Sequence, residues 1–234
     1  MEEQESIPVT GMWNYPRCID NLRTWDRPNW MALSRDEALT LLTDSLPARR
    51  RRGAKRLRAL ADPTTAAQVR AALERETTWE AKYQLSMALG TTGSREDVEL
   101  LKRLALQPRS ATAVNSALGD SIVRLGRDFD NDPAPVVWCL QQDVELLAYG
   151  ALRAVAMLRL QLPDTTVDAI LDYVEANDSN RMNLTYWPAI AAAGWSGPRV
   201  RAFLTRCSQD SRQDVADAAT DALNGRYRKH MNVW

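Results

Sequence analysis

Apolar residues recur every three or four positions along most of the chain, the spacing of one buried helix face. That period predicts helices near residues 49–61, 64–75, 78–90, 95–107, 110–126, 134–141, 143–160, 165–176, 182–194, 198–208 and 211–224. Turn chemistry separates them, at Asp62-Pro63, Gly93-Ser94, Asp132-Pro133, Pro163-Asp164, Gly197-Pro198 and Gln209-Asp210. A further helix is expected after Ser34, which forms a capping box with Glu37. Leu39, Leu42 and Leu46 supply its apolar stripe, and Pro47 is expected to stop it. Nowhere does strict alternation of apolar and polar residues run long enough for a sheet, so the fold class is all-α. Residues 7–30 break the pattern: Pro8, Pro16 and Pro28 alternate with Trp13, Trp25 and Trp30. They read as an irregular Trp/Pro-rich arm anchored by large rings. The expected division is residues 1–48, the arm and first helix, capping a repeat domain over residues 49–234.

A longer period lies above the helical one. Near six helix ends a small residue precedes another small or apolar one: Ala59-Leu60, Ala88-Leu89, Ala117-Leu118, Ala151-Leu152, Ala192-Ala193 and Ala222-Leu223. The second members stand 29, 29, 34, 41 and 30 residues apart, a mean of about 33. Small residues let paired helices approach closely, and the apolar partner fills the seam between repeats. One further amphipathic helix lies between successive motifs, such as Val98-Leu101-Leu104 or Val167-Ile170-Leu171-Val174. One period is therefore a helical hairpin, and about six are expected.

The segment DSRQDVADAATDAL, Asp210 to Leu223, resembles the second helix of the HEAT-like repeat family, including its phycobilin-lyase-type variant. DVELLAYGAL, Asp143 to Leu152, fits the same frame. LSMALGTTGSREDVELLKRL, Leu85 to Leu104, is similar to the junction between two such repeats. Roughly residues 49 to 224 share the likeness; the Arg that usually follows the Val is replaced by Glu145 and Ala216. The resemblance implies an α-α superhelix, a solenoid whose second helices line a concave face. It implies no particular activity.

On such a face, counting back three from each motif's second member places Leu57, Ser86, Asn115, Tyr149, Ile190 and Thr220. Counting back six places Ala54, Tyr83, Thr112, Leu146, Trp187 and Asp217, and counting back seven adds Lys82, Glu145 and Tyr186. Tyr83, Tyr149, Tyr186 and Trp187 then form an aromatic line with Lys82, Ser86, Asn115, Glu145 and Asp217 beside it. Aromatic rings among mixed charges are the usual components of a binding hot spot.

Charge changes the picture in two ways. The total is 30 Lys+Arg against 30 Asp+Glu, but the sign alternates by block. The net is −4 over residues 1–48, +7 over 49–110, −7 over 111–180 and +4 over 181–234. An acidic middle band repels a nucleic acid laid along the chain and suits a protein partner of complementary charge. Secondly, Arg49, Arg50, Arg51, Arg52, Lys55 and Arg56, with Arg58 just beyond, form a candidate anion-binding run.

Catalytic and metal chemistry finds little support. His230 is the single histidine, so no histidine-based nucleophile system or histidine metal cluster is expected. Cys18, Cys139 and Cys207 are odd in number and far apart, giving neither a disulfide framework nor a zinc spacing. Asp128-Phe129-Asp130-Asn131-Asp132 starts like a calcium loop, but Pro133 and Cys139 stand where Gly and Glu are required. It reads instead as a polar loop capping the next helix. No phosphate-binding glycine loop is present, and Asp217 with Asp221 reads as a solvated helix face. No run approaches the ~18 apolar residues of a membrane span. The acidic start at Met1 lacks the features of a secretory signal, so a cytoplasmic protein without cofactor is expected.

The leading functional reading is a non-enzymatic scaffold gripping one protein on its concave face, in its sharper form an immunity-type inhibitor of a toxin or nuclease. One alternative is a HEAT-like DNA-binding protein or alkylation-repair glycosylase, for which Trp187 with Arg181, or Trp79 with Lys82, are the available analogues. The other is a bilin lyase or chaperone, implied by the family resemblance alone.

Overall fold

The computed structural model describes residues 30–107, 113–177 and 183–228, and within them every regular element is helical. The α-helices are α1 (Arg35–Leu41), α2 (Pro47–Leu60), α3 (Ala66–Arg75), α4 (Trp79–Thr92), α5 (Val98–Ala105) and α6 (Ala113–Gly126). They continue as α7 (Ala134–Leu140), α8 (Glu145–Leu158), α9 (Asp164–Asn177), α10 (Tyr186–Ala191), α11 (Pro198–Cys207) and α12 (Gln213–Leu223). The all-α expectation holds. Of the arm, Trp13 and Trp25 lie outside the described residues; Trp30 is buried, with the Lys55 ammonium 4.4 Å from its ring centroid.

Local chemistry places the helix ends. The Ser34–Glu37 box forms in both directions, the Glu37 amide donating to Ser34 Oγ at 3.3 Å and the Ser34 amide to Glu37 Oε2 at 2.7 Å. Pro47 behaves differently from expectation. The first helix already ends at Leu41, and Pro47 opens α2, where its missing N–H and fixed φ suit the first turn. Leu46 is consequently an exposed junction residue, not part of the α1 stripe. Ahead of α5, Ser94 and Asp97 repeat the reciprocal box. Asp132 takes the Asp128 and Ala134 amides at 2.8 and 3.0 Å, so the calcium-like loop is a cap for α7.

Packing follows chain order. The even-numbered helices form one row in which α2 meets α4, α4 meets α6, α6 meets α8, α8 meets α10 and α10 meets α12. Helices α1, α3, α5, α7 and α11 each lie against the even helix that follows. The middle of the row is the deepest part: every residue from Val114 to Val123 of α6 is buried. Such burial demands small residues where backbones meet. A Cβ on Gly150 of α8 would run into the Ser116 carbonyl oxygen, and one on Gly119 of α6 into the Leu147 carbonyl oxygen. The α4–α6 seam is closed by Ser121, whose Oγ donates to the Ser86 carbonyl at 2.8 Å beside Gly90.

Charged residues join neighbouring hairpins on the outside of this core. Arg50 of α2 grips Glu76 beyond α3 through Nε and Nη2 at 2.7 and 2.9 Å. Arg70 pairs with the buried Asp97. The acidic face of α9 meets the basic face of α11, where Arg199 contacts Asp168 at 3.3 Å and also reaches Asp172, while Arg206 takes Glu175. Burial works against the charge on Glu76, yet Arg50 and the Thr78 amide and hydroxyl outweigh it and hold that carboxyl down at about 2.

Two consequences are measurable. Gly150→Ala overpacks the α6–α8 seam against backbone that cannot step aside, at a cost of about 3 kcal/mol. The expected result is a melting temperature lower by about 6–12 °C for a chain of this size; an unchanged value would show that the seam is looser than described. Glu76 contributes stability that is complete above its ordinary pKa of 4.5 and disappears as the pH falls through about 2. Its shift corresponds to about 3 kcal/mol. Urea unfolding of wild type and Glu76→Gln should therefore differ at neutral pH and converge in strong acid. Parallel pH profiles are the contrary outcome.

Candidate binding surface

Residues two positions from the core-facing Leu118 point to the opposite side of α6, and these are Ser116 and Asp120. Side chains from three neighbouring helices converge there. Arg153 of α8 donates from Nε to Asp120 Oδ2 at 3.0 Å, from Nη1 to the Tyr83 hydroxyl at 3.3 Å and from Nη2 to the Ser116 carbonyl at 3.4 Å. Its Nη2 also lies 3.1 Å from Met87 Sδ. Arg124, one turn after Asp120, takes the other carboxylate oxygen at 2.5 Å. Asp120 is 1% exposed. Burial opposes its charge, but Arg153 and Arg124 prevail and hold the carboxyl below the usual carboxylate range. Arg58 of α2 borders the same cluster; burial, joined by the like charges of Arg153 and Arg124, lowers its pKa.

This cluster closes the space above α6, because Tyr83 of α4 and Arg153 of α8 touch across it. The aromatic line expected from the repeat register is therefore only partly at the surface. Trp187 is 4% exposed and lies under its neighbours, with ring centroids 6.1 Å from Tyr149 and 5.0 Å from Tyr186, both edge-on. Ser86 and Asn115 are also buried, and the Ser86 hydroxyl donates to the Lys82 carbonyl at 2.9 Å. These three residues have no surface to offer a partner: counting along a helix gives a direction, and here that direction is covered. Tyr83, Tyr149, Tyr186, Lys82, Glu145 and Asp217 are half-buried and remain available at their edges. Asp217 is already engaged by Gln213 at 2.7 Å and Arg228 at 3.0 Å.

The basic run is put to structural use at four or more of its six positions. Arg49 pairs with Asp44 at 3.1 Å, and Arg50 binds Glu76 together with the Asp44 and Ser45 carbonyls. Lys55 covers Trp30, and Arg56 donates to the Leu33 carbonyl at 2.6 Å. The expected anion-binding run is thus largely a set of anchors between α2 and its surroundings. Arg51 and Arg52 are half-buried on the same helix. Asp120, Arg124 and Arg153 were not singled out by sequence pattern. Their signal was present, since a charge inside an otherwise apolar helix recurs 33 residues later, one mean repeat on.

Two clefts flank the row. One of about 430 Å³ lies beside Arg50 and Glu76, and one of about 300 Å³ is bounded by Met157, Trp187, Ile190 and Arg228. In the second, the Arg159 guanidinium sits 4.6 Å from the Tyr227 ring centroid. Among the described residues no three metal-binding side chains converge, and both described cysteines are buried, with burial pushing the Cys139 thiol up. No described helix is long and apolar enough to cross a membrane. Against protein-family models, curated proteins and solved structures, the chain finds no match.

The Asp120 cluster has a measurable energetic signature. Asp120→Asn leaves Arg153 buried without its counter-charge and is expected to cost about 3–5 kcal/mol in urea unfolding. Adding Arg153→Met to that variant should recover part of the loss. A double variant no more stable than the single would show that Arg153 is not the residue Asp120 compensates.

Proposed function

We propose that this chain is a HEAT-like scaffold that works without catalysis, binding one protein partner on the surface of its even-numbered helices. The observation that carries the reading is the unbroken row from α2 to α12, which brings residues far apart in number onto one face. That arrangement is the use to which stacked hairpins are suited, because each repeat adds one more strip of contact surface. Along the strip lie the half-buried rings of Tyr83, Tyr149 and Tyr186, with Lys82 and Glu145 as charged neighbours. Such rings bury large area at small entropic cost when a partner covers them.

The acid and base groups nearest this face support a binding role over a chemical one. Asp120 is locked between two arginines, and the Cys139 and Cys207 side chains are enclosed. A cytoplasmic, immunity-type inhibitor of a toxin or nuclease is the narrower form of the proposal, in which the partner's own active surface is what the strip covers.

The deciding experiment mixes the purified chain with the products of its neighbouring genes and reads stoichiometry by size-exclusion chromatography with light scattering. A one-to-one complex is expected, weakened about tenfold or more by Lys82→Glu, which reverses a rim charge while leaving the core intact. Absence of any stoichiometric complex, or base release from alkylated DNA by the chain alone, overturns the proposal.

A further inference from the structure

The smaller cleft, about 300 Å³, opens where the C-terminal end of α8 meets α10 and the segment after α12. Its inner walls are apolar: Ala156, Trp187 and Ile190 are almost fully buried, and Met157 stands at the rim, 38% exposed. Arg159, Tyr227 and Arg228 complete the lining. Tyr227 is fixed from three sides. Gln161 Nε2 donates to its hydroxyl at 3.1 Å, and the Arg159 guanidinium lies over its ring. Gly194 leaves the room that the hydroxyl needs, since a Cβ there would collide with it. A volume of this size is at the lower end for small-ligand sites and takes one ring or one side chain.

The two cations of the lining differ. Arg228 is matched by Asp217 at 3.0 Å and by Asp221 at 3.8 Å. Arg159 is exposed and, among the described residues, has no carboxylate within ion-pair distance. Attraction to the Tyr227 ring supplies no counter-charge, so the guanidinium fork keeps its capacity for a carboxylate. One unmatched cation beside an apolar wall selects a single negative charge carried on an apolar body. A phosphate dianion meets the two carboxylates that accompany Arg228 and finds no second unmatched guanidinium in the lining. Acetate satisfies Arg159 but leaves the apolar wall in water, and an uncharged ring does the reverse.

We infer that this cleft binds a small carboxylate with an apolar body, the acid group on Arg159 and the body against Trp187 and Ile190. A free organic acid and the terminal residue of a peptide share that chemistry. The site is separate from the protein-binding strip, since neither Lys82, Tyr83 nor Glu145 lines it, and either reading can fail without the other. A ligand of about ten heavy atoms in so small a cleft binds with a Kd of about 0.1–1 mM. The backbone of Arg159 offers a clean variant. It caps α8 at φ 53° and ψ 46°, the left-handed geometry that glycine adopts without steric cost. Arg159→Gly therefore removes the cation while relieving the chain.

The test titrates the full chain with para-fluorophenylacetate followed by fluorine NMR, with para-fluorophenylacetamide as the uncharged comparator. Saturable binding of the acid is expected, weakened about tenfold or more with the amide and in both Arg159→Gln and Arg159→Gly, as loss of a charge-assisted contact requires. Arg159→Gly should also melt about 2–4 °C higher than wild type, which separates lost binding from lost folding. Arg103→Gln, on α5, should bind like wild type. Competition distinguishes the sources: a tetrapeptide Gly-Gly-Gly-Phe that displaces the probe, where its C-terminal amide does not, identifies a chain terminus as ligand. A probe displaced by phenylacetate alone identifies a free acid, and either result supports the inference. Equal binding of acid and amide overturns it, as does wild-type affinity in Arg159→Gln and Arg159→Gly. Absence of saturation up to about 10 mM acid overturns it too.

Discussion

The close backbone approach of α6 and α8 governs the rest of this structure. With Gly119 and Gly150 facing carbonyl oxygens across the seam, the two helices come nearer than side chains of ordinary size permit. Close approach removes the space in which polar groups could be hydrated, so whatever charge remains there needs a partner from the protein. Asp120 and Arg153 meet this demand by pairing with each other, and Arg124 and Tyr83 complete the set. Backbone proximity and charge pairing are thus two sides of one constraint: the first creates the dry site, and the second makes it tolerable.

The same reasoning explains how the outer faces differ from the seam. Where neighbouring odd-numbered helices meet, the contacts are long-armed and partly wet, as in Arg199 with Asp168 or Arg103 with Glu74 at 3.7 Å. Exposed pairs of this kind contribute little individually. Their value lies in register, since opposite charges at matching heights select one stacking of adjacent hairpins over its neighbours. The alternation of charge sign along the chain is therefore spent in part inside the molecule.

Several features could be read from residues alone, and the reason is locality. The capping box at Ser34, the asparate-capped loop before α7 and the helix-forming period each involve groups within a few positions of one another. Pro47 departs from expectation for a local reason too: a proline ends one helix and begins another with equal ease, and the choice depends on where α1 has already stopped. The candidate surface was less legible. The repeat register places Trp187 on the partner-facing side of α10, but Tyr149 from α8 and its own neighbour Tyr186 pack around it and bury it. The arginine run looked like a patch because its partners, Glu76 and the Leu33 carbonyl, are 26 and 23 positions away.

By itself the chain's pattern determined that the protein is helical, roughly where each helix lies and that small residues recur at intervals suited to close packing, because these follow from contacts within one or two turns. Only the tertiary structure decided which rings are covered, which cations are engaged and which carboxylate holds the centre of the row. Those outcomes depend on atoms brought together from different helices, and no spacing along a single helix encodes what the next helix places above it.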